Sequence, residues 1–562
     1  MIRHPLRSAL LGLGLALLAL GPAAAETADL ILRNGSIITM DPDQPRAEAV
    51  ALSGGRILAV GSDAQIAALA GDGVKTVDLE GKTVIPGLID THTHAIRGGQ
   101  TFHDETYLFG ITSLPGAFDQ LRAAAAERGP EDWVVVGGSW HPNQFEEKRV
   151  PSVAELGEAL PDHPVYLQYL YDYALVNPKG IELLGLDDPG ADLGHGLTIE
   201  RDADGKATGR LLGGIGSFNM LMGQLTAHDE SQRTESLEDF FAALNAAGLT
   251  GVIDPSAGSP ASYEPLFDLR DQGKLSLRVG YRIPAAVPGS EAEWFQNIMA
   301  FRPPHWDDGA LAFLGLGENL VFGVNDGVQM GPGFDPSPEA RAELVKVATY
   351  AAERRIPVEI HAYTDDAASV ILDAFEEVAK TNPLDDLRWA IAHLNTGSAR
   401  TLDRMKALGL AYSVQMGPYF EGPAILEANG PEVSALSPPV RLALDRGIRV
   451  AGGTDSTRIG VFGVWQAIEY HLTGTSLGGG VQRPDDQLLT RDEALAMYTR
   501  DAAWLGFAEA DRGTITAGKL ADLVVLDQPY ETIPADQVHG IRSVLTLLGG
   551  KPVHDPSGLI GQ

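Results

Sequence analysis

Apolar and polar positions along the chain fall into three textures. From 28 to 79 the apolar runs are short and separated by turn residues. Asp29-Leu-Ile-Leu-Arg-Asn-Gly35 reads as a strand entering an Asn-Gly turn, with 36–40 as its hairpin partner, and 48–52, 56–60 and 76–79 continue the series. The far end has the same texture: Gly513 to Asp527 closes in an apolar strand, and 541–548 and 551–553 read as two more. Two β-rich ends around a long middle predict one small β-sandwich domain assembled from 26–83 and 511–562. The middle, 84–510, alternates apolar strands with amphipathic helices such as 339–353 and 366–379, the pattern of a parallel α/β fold. Its strands are expected in the Val84 stretch and at 249–253, 277–281, 320–324, 357–361, 388–393, 410–414 and 449–453. Eight strands predict a (β/α)8 TIM-like barrel. Residues 130–225 interrupt it after the first strand with strand-like runs of their own at 133–136 and 165–170, an inserted subdomain on the loop face.

Composition changes this picture at the N-terminus and at the surface. Arg3 and Arg7, an apolar segment from Ala9 to Leu20 and Ala23-Ala24-Ala25 have the layout of a cleaved secretory signal over 1–25, which predicts a periplasmic or secreted protein without stable membrane insertion. The chain has no cysteine, which excludes disulfides, thiolate metal sites and a cysteine nucleophile. A formal charge of −33 argues against nucleic acid and anionic lipid as partners and for a small uncharged or cationic substrate. A homodimer stays open.

The candidate chemistry sits where predicted strands end. In Val84-Ile-Pro-Gly-Leu-Ile-Asp-Thr-His-Thr-His-Ala-Ile96, Asp90, His92 and His94 alternate, and side chains two apart on a strand leave by one face. Glu359-Ile-His361, Ile391-Ala-His393 and Gly452-Gly-Thr-Asp455 each end an apolar strand in one His or Asp. Barrels of this type carry their chemistry at strand C-termini. Four imidazoles and one carboxylate there predict a shared metal site, with Asp90 supporting it from behind. Trp140, His141, Phe145, Tyr171 and Tyr173 of the insertion are read either as an aromatic lid over the site or as the insertion's own core.

Pro86-Gly-Leu-Ile-Asp-Thr-His-Thr-His94, the lone histidines of two later strands, Gly453-Thr-Asp455 and the 513–527 segment resemble the metal-dependent amidohydrolase superfamily, best its YtcJ-like branch, which includes N-substituted formamide deformylases. The resemblance implies His92 and His94 as ligands of a buried metal, His361 and His393 as ligands or near-ligands, and Asp455 as ligand and proton shuttle. Relatives often carry a metal-bridging lysine on the fourth strand, in Lys-x-x-x-Asp-Gly. In Phe322-Gly-Val-Asn-Asp-Gly327 the lysine position is Phe322, which favours a single zinc ion over two, with Glu318 or Asp326 as substitute carboxylates. Tyr173 stands where relatives commonly place a histidine. Trp140, Tyr173 and Asp326 are the expected substrate contacts. The activity so implied is hydrolysis of an amide- or formamide-like C–N bond by metal-activated water, with Asp455 and His393 in catalytic roles. A deaminase, a cyclic amide or lactone hydrolase, or a non-catalytic binding protein on the same scaffold are the alternatives.

Overall fold

A computed structural model describes residues 27–226, 229–300 and 307–561; the expected signal segment lies outside them. Eight parallel strands carry the middle of the chain: β1 (Leu88–Asp90), β2 (Leu249–Asp254), β3 (Arg278–Ile283), β4 (Leu311–Leu316), β5 (Glu359–Ala362), β6 (Ala390–His393), β7 (Ala411–Val414) and β8 (Val450–Gly452). They form two four-stranded sheets, ordered β4-β3-β2-β1 and β5-β6-β7-β8. The sheets touch at both edges. Leu316 bridges to Val358 in parallel register, and Thr91 N–H donates to the Gly452 carbonyl at 3.0 Å. The strands are almost wholly buried, and helices such as Pro338–Glu353 and Asp365–Ala379 pack over them, which is the reason parallel strands are rich in apolar residues.

Two expectations about local structure are corrected. The fourth strand is Leu311–Leu316, and 320–324 is a loop whose Phe322–Val324 makes a single 3-10 turn. Both runs are apolar, but only the first lies between β3 and the edge of β5; Leu320 and Val321 reach the same core from a loop, while Phe322 is 40% exposed. The Asn34-Gly35 hairpin does not form either. Leu30–Arg33 pairs with Ala49–Ser53 and Lys75–Asp78, whereas Ser36–Ile38 crosses to Thr83–Pro86 and Arg46–Ala47. Asn34 turns the chain between two sheets.

The second of those sheets has six strands and contains segments of both chain ends: Lys551–His554, Ser543–Leu548, Leu523–Leu526, Thr83–Pro86, Ser36–Ile38 and Arg46–Ala47, in that order. One apolar cluster, including Leu32, Val50, Val77, Val84, Leu523 and Leu545, draws on this sheet and the four-stranded one. Thr83–Pro86 passes into β1 through Gly87. A Cβ there would lie 2.0 Å from the Thr250 hydroxyl oxygen, so only glycine lets the chain leave the terminal sheet this close to β2. Residues of the insertion make a five-stranded sheet of Thr198–Arg201, Ala207–Leu212, Tyr173–Val176, Val165–Tyr169 and Val134–Val136, with its own apolar clusters.

Candidate metal centre

His92 and His94 follow the end of β1, His361 lies in β5, His393 ends β6 and Asp455 follows β8, all buried. Their common neighbour is Glu318, two residues past β4. One of its oxygens lies 3.3 Å from His361 Nδ1, 3.1 Å from His393 Nε2 and 3.5 Å from His92 Nε2; the other is 3.2 Å from His94 Nε2. Asp455 Oδ1 closes the group at 3.4 Å from His94 Nε2 and 3.9 Å from His92 Nε2. Four imidazoles and two carboxylates thus converge, although they come from five strand ends spread over more than 360 residues.

The ring nitrogens that face away from this point are tied down. His92 Nδ1 sits 2.6 Å from the Glu359 carboxylate, His94 Nδ1 donates to the Ser256 carbonyl at 3.0 Å, and His361 Nε2 donates to the Gly327 carbonyl at 2.8 Å. Such outer partners fix tautomer and ring orientation. By contrast, His92 Nε2, fully buried and aimed at the common point, has no hydrogen-bond partner. A buried imidazole nitrogen left unpaired costs roughly 1–3 kcal/mol unless something else binds it.

Charge supports the same conclusion. Burial pushes the Glu318 carboxyl up, yet the His92 imidazole and hydrogen bonds from His361, His393 and His94 hold it well below the usual range. Burial opposes charge on His361 too, but Asp326 and Glu318 raise it to about 10, while burial and the neighbouring His361 drop His393 to about 4. Two buried carboxylates therefore demand positive charge at one point, and against the cost of burial they raise His92 and His94, the latter to about 9, as well as His361. Two overlapping donor sets, His92-Glu318-His393 and His92-His94-Asp455, are each compact enough to hold a cation. The His-and-carboxylate chemistry, the unpaired His92 nitrogen and the two buried carboxylates fit a divalent metal.

Beneath the site, Asp90 staples β1 to β8. It accepts from Thr454 N–H at 3.1 Å, Thr454 Oγ1 at 2.6 Å and His92 N–H at 3.1 Å, which places it in support of the histidine loop. The three expected substrate contacts lie elsewhere. Asp326 sits behind His361, 3.2 Å from its Nε2, and accepts from the Tyr363 and Thr364 backbone N–H groups. Trp140 is buried in the insertion's core against Phe145, its indole N–H given to the Gln168 carbonyl. Tyr173 is half-buried under the Arg210 guanidinium, 4.0 Å from ring centre to Cζ. Of the insertion's aromatics, Tyr171 comes towards the site, its hydroxyl accepting from Arg97 at 3.2 Å. Sequence reasoning did not assign Glu359 its histidine, and it reached Glu318 only as a substitute. Nothing local marks Glu359, because its partner lies in another strand; Glu318 follows the apolar run 311–316, which was the available signal.

Eight parallel strands thus carry at their ends a His/carboxylate cluster that could hold a metal ion. The chain belongs to the amidohydrolase family, whose model matches residues 75–554. It is similar to an N-substituted formamide deformylase from Arthrobacter pascens, 26% identical over 94% of this chain and 99% of that one. It is also similar to the putative amidohydrolase YtcJ of Bacillus subtilis strain 168, 23% identical over 94% and 99%. A solved structure of an uncharacterized metal-dependent hydrolase from Pyrococcus furiosus superposes with a TM-score of 0.64 at 22% identity, covering 90% of this chain and all of that one. The family resemblance drawn from the motifs holds, and the protein is a hydrolase.

Proposed function

We propose that this hydrolase cleaves the C–N bond of a small amide or formamide-like substrate by attack of water on the carbonyl, using a divalent metal centre at the mouth of a (β/α)8 barrel. The observation that carries the reading is Glu318 within 3.5 Å of four imidazoles, with His92 Nε2 left unpaired beside Asp455. The edge contacts of the two sheets support a closed barrel, and the shared apolar cluster supports a terminal sandwich.

His92, His94 and Asp455 would hold one cation, and Glu318 with His393 and His361 would supply donors for a second. Six donors exceed the three protein ligands of an ordinary catalytic zinc site. The argument for a single ion rested on Phe322, and with β4 ending at Leu316 that residue no longer stands at the position in question. Zinc suits imidazole and carboxylate donors. A bound divalent cation supplies a Lewis acid for the substrate carbonyl and lowers the pKa of water.

The chain's own groups do the rest. Asp455, held beside His94, takes the proton of the attacking water and returns it to the leaving nitrogen. His393 keeps its Nε2 on Glu318, so it serves as a ligand better than as an oxyanion donor. Among the described residues no helix is long and apolar enough to cross a membrane, and the 1–25 segment is proposed to direct export.

The test combines metal analysis of purified protein with a panel of N-alkyl and N-aryl formamides and acetamides, amino-substituted heterocycles, and cyclic amides and lactones. About two metal equivalents per chain and release of amine plus acid are expected. Ammonia as the product would make the protein a deaminase instead, a ring-opened acid would make it a cyclic amide or lactone hydrolase, and metal without any turnover would leave a binding protein.

A further inference from the structure

Beyond Tyr363 from the metal centre, two buried polar side chains lack partners. Asn395, two residues past the end of β6, is 3% exposed, and neither its Oδ1 nor its Nδ2 makes a hydrogen bond. Glu421, in the helix Gly417–Asn429, is 2% exposed, and its Oε2 is likewise unpaired. They converge on one space. A Cβ built on Gly417 would lie 3.1 Å from Asn395 Nδ2 and 3.5 Å from Glu421 Oε2, so the absent side chain at 417 keeps that space open. Tyr363, whose ring stacks on His361, and Tyr169 of the insertion are close enough to feel the Glu421 charge.

Leaving three such atoms unpaired is costly, at roughly 1–3 kcal/mol each. No Lys, Arg or His pairs with Glu421 among the described residues, and the charges that act on it are those of Asp172 and Asp455, both negative. Burial together with these two carboxylates pushes its carboxyl well above the usual range. A cation is the group this field favours. Two acceptors, Glu421 Oε2 and Asn395 Oδ1, match an ammonium's N–H donors.

We infer that Asn395 and Glu421 form a recognition pocket for a protonated amino group at the end of the substrate remote from the scissile bond. The inference rests on the hydrolase reading for its placement, since the pocket lies across Tyr363 from the metal ligands. It narrows the substrate class to amides that carry a second, cationic nitrogen, in keeping with a chain of charge −33.

The experiment uses metal-loaded full-length enzyme and two formamides: the mono-N-formyl derivative of p-xylylenediamine, which keeps one ammonium, and N-formyl-p-methylbenzylamine, which has a methyl group in its place. Wild type is expected to favour the charged member in kcat/KM by about tenfold or more, and Glu421→Gln to erase that preference, as the loss of a desolvated charge pair does. Both substrates are measured on one preparation, so partial misfolding cancels from the ratio. Calorimetry with p-xylylenediamine supplies a readout independent of turnover. Wild type should bind it about tenfold more tightly than Glu421→Gln, and Gly417→Ala, which intrudes on the same space, should weaken it too. Equal turnover of both formamides with diamine binding unchanged by Glu421→Gln overturns the pocket and leaves the hydrolase reading standing. Diamine binding that depends on Glu421 without hydrolysis of either formamide sinks the hydrolase reading and keeps the pocket. No hydrolysis of either formamide together with diamine binding unchanged by Glu421→Gln overturns both.

Discussion

His92 and His141 are both buried histidines, and the regions that hold them are built on opposite principles. In the insertion, His141 Nδ1 accepts from the Asn143 backbone N–H at 3.1 Å and its Nε2 meets the Tyr169 hydroxyl at 3.0 Å. Nearby, Asn177 Oδ1 accepts from Val165 N–H and Gly180 N–H, while Nδ2 donates to the Leu160 and His163 carbonyls. The polar side-chain atoms of His141 and Asn177 are all partnered, and they hold loops and a helix start in place. At the strand ends, His92 has one nitrogen saturated by Glu359 and the other left open. The difference teaches that a functional histidine is recognised less by burial than by a well-anchored far side with an unpaired near side.

Asp455→Asn should break the comparison hardest. It keeps the shape of the side chain but removes a carboxylate that both binds cation and moves a proton, so kcat on any formamide turned over by wild type should fall on the order of 10²–10⁴-fold. A loss of less than tenfold would mean that the unpaired cluster is not where the chemistry happens. Next comes Glu359→Gln, which touches no substrate. It weakens the anchor on His92 Nδ1, 2.6 Å away, and should lower metal affinity by about 10–100-fold in a chelator competition. Affinity unchanged by that variant would show that the far-side anchor is ornamental and would dissolve the distinction between the two histidines.

Much of this was legible in the sequence, and the failures share a physical cause. His92, His94, His361, His393 and Asp455 stand out because each ends a run whose β-branched and apolar residues announce a buried strand. Glu318 lies outside any strand, and the apolar residues 320–324, next to the Asp326-Gly327 pair that sets the expected lysine pattern at Phe322, read as a strand in its place. Two apolar runs a few residues apart cannot be ranked by periodicity; the neighbours decide, and Leu311–Leu316 has β3 and β5 on its flanks. Asn34-Gly35 failed for the same reason, since the turn chemistry is right but the strand Ala49–Ser53 outcompetes the nearer partner. Trp140 could be lid or core from sequence alone. The Gln168 carbonyl that takes its indole N–H settles it as core, and no local pattern reveals that contact.

The smallest expected effect sharpens the comparison from the insertion's side. Burial depresses His141 to about 4, below its ordinary 6.5. The unfolded chain therefore binds a proton more readily than the folded one over that interval. Stability from this residue is fully present above pH 6.5, is lost as pH falls from 6.5 towards 4, and changes no further below that. Between pH 6.5 and 5.5 the loss is about 1 kcal/mol, which corresponds to roughly fivefold faster opening-limited hydrogen exchange of the strand Val165–Tyr169 after correction for intrinsic rates. His141→Gln offers an acceptor to the Asn143 N–H but no titrating ring, and should remove that slope. A slope that survives the substitution would place the pH response in another group. A wild-type strand with no slope at all would mean that His141 accommodates its charge where it stands, in which case a saturated imidazole is no more committed to neutrality than an open one.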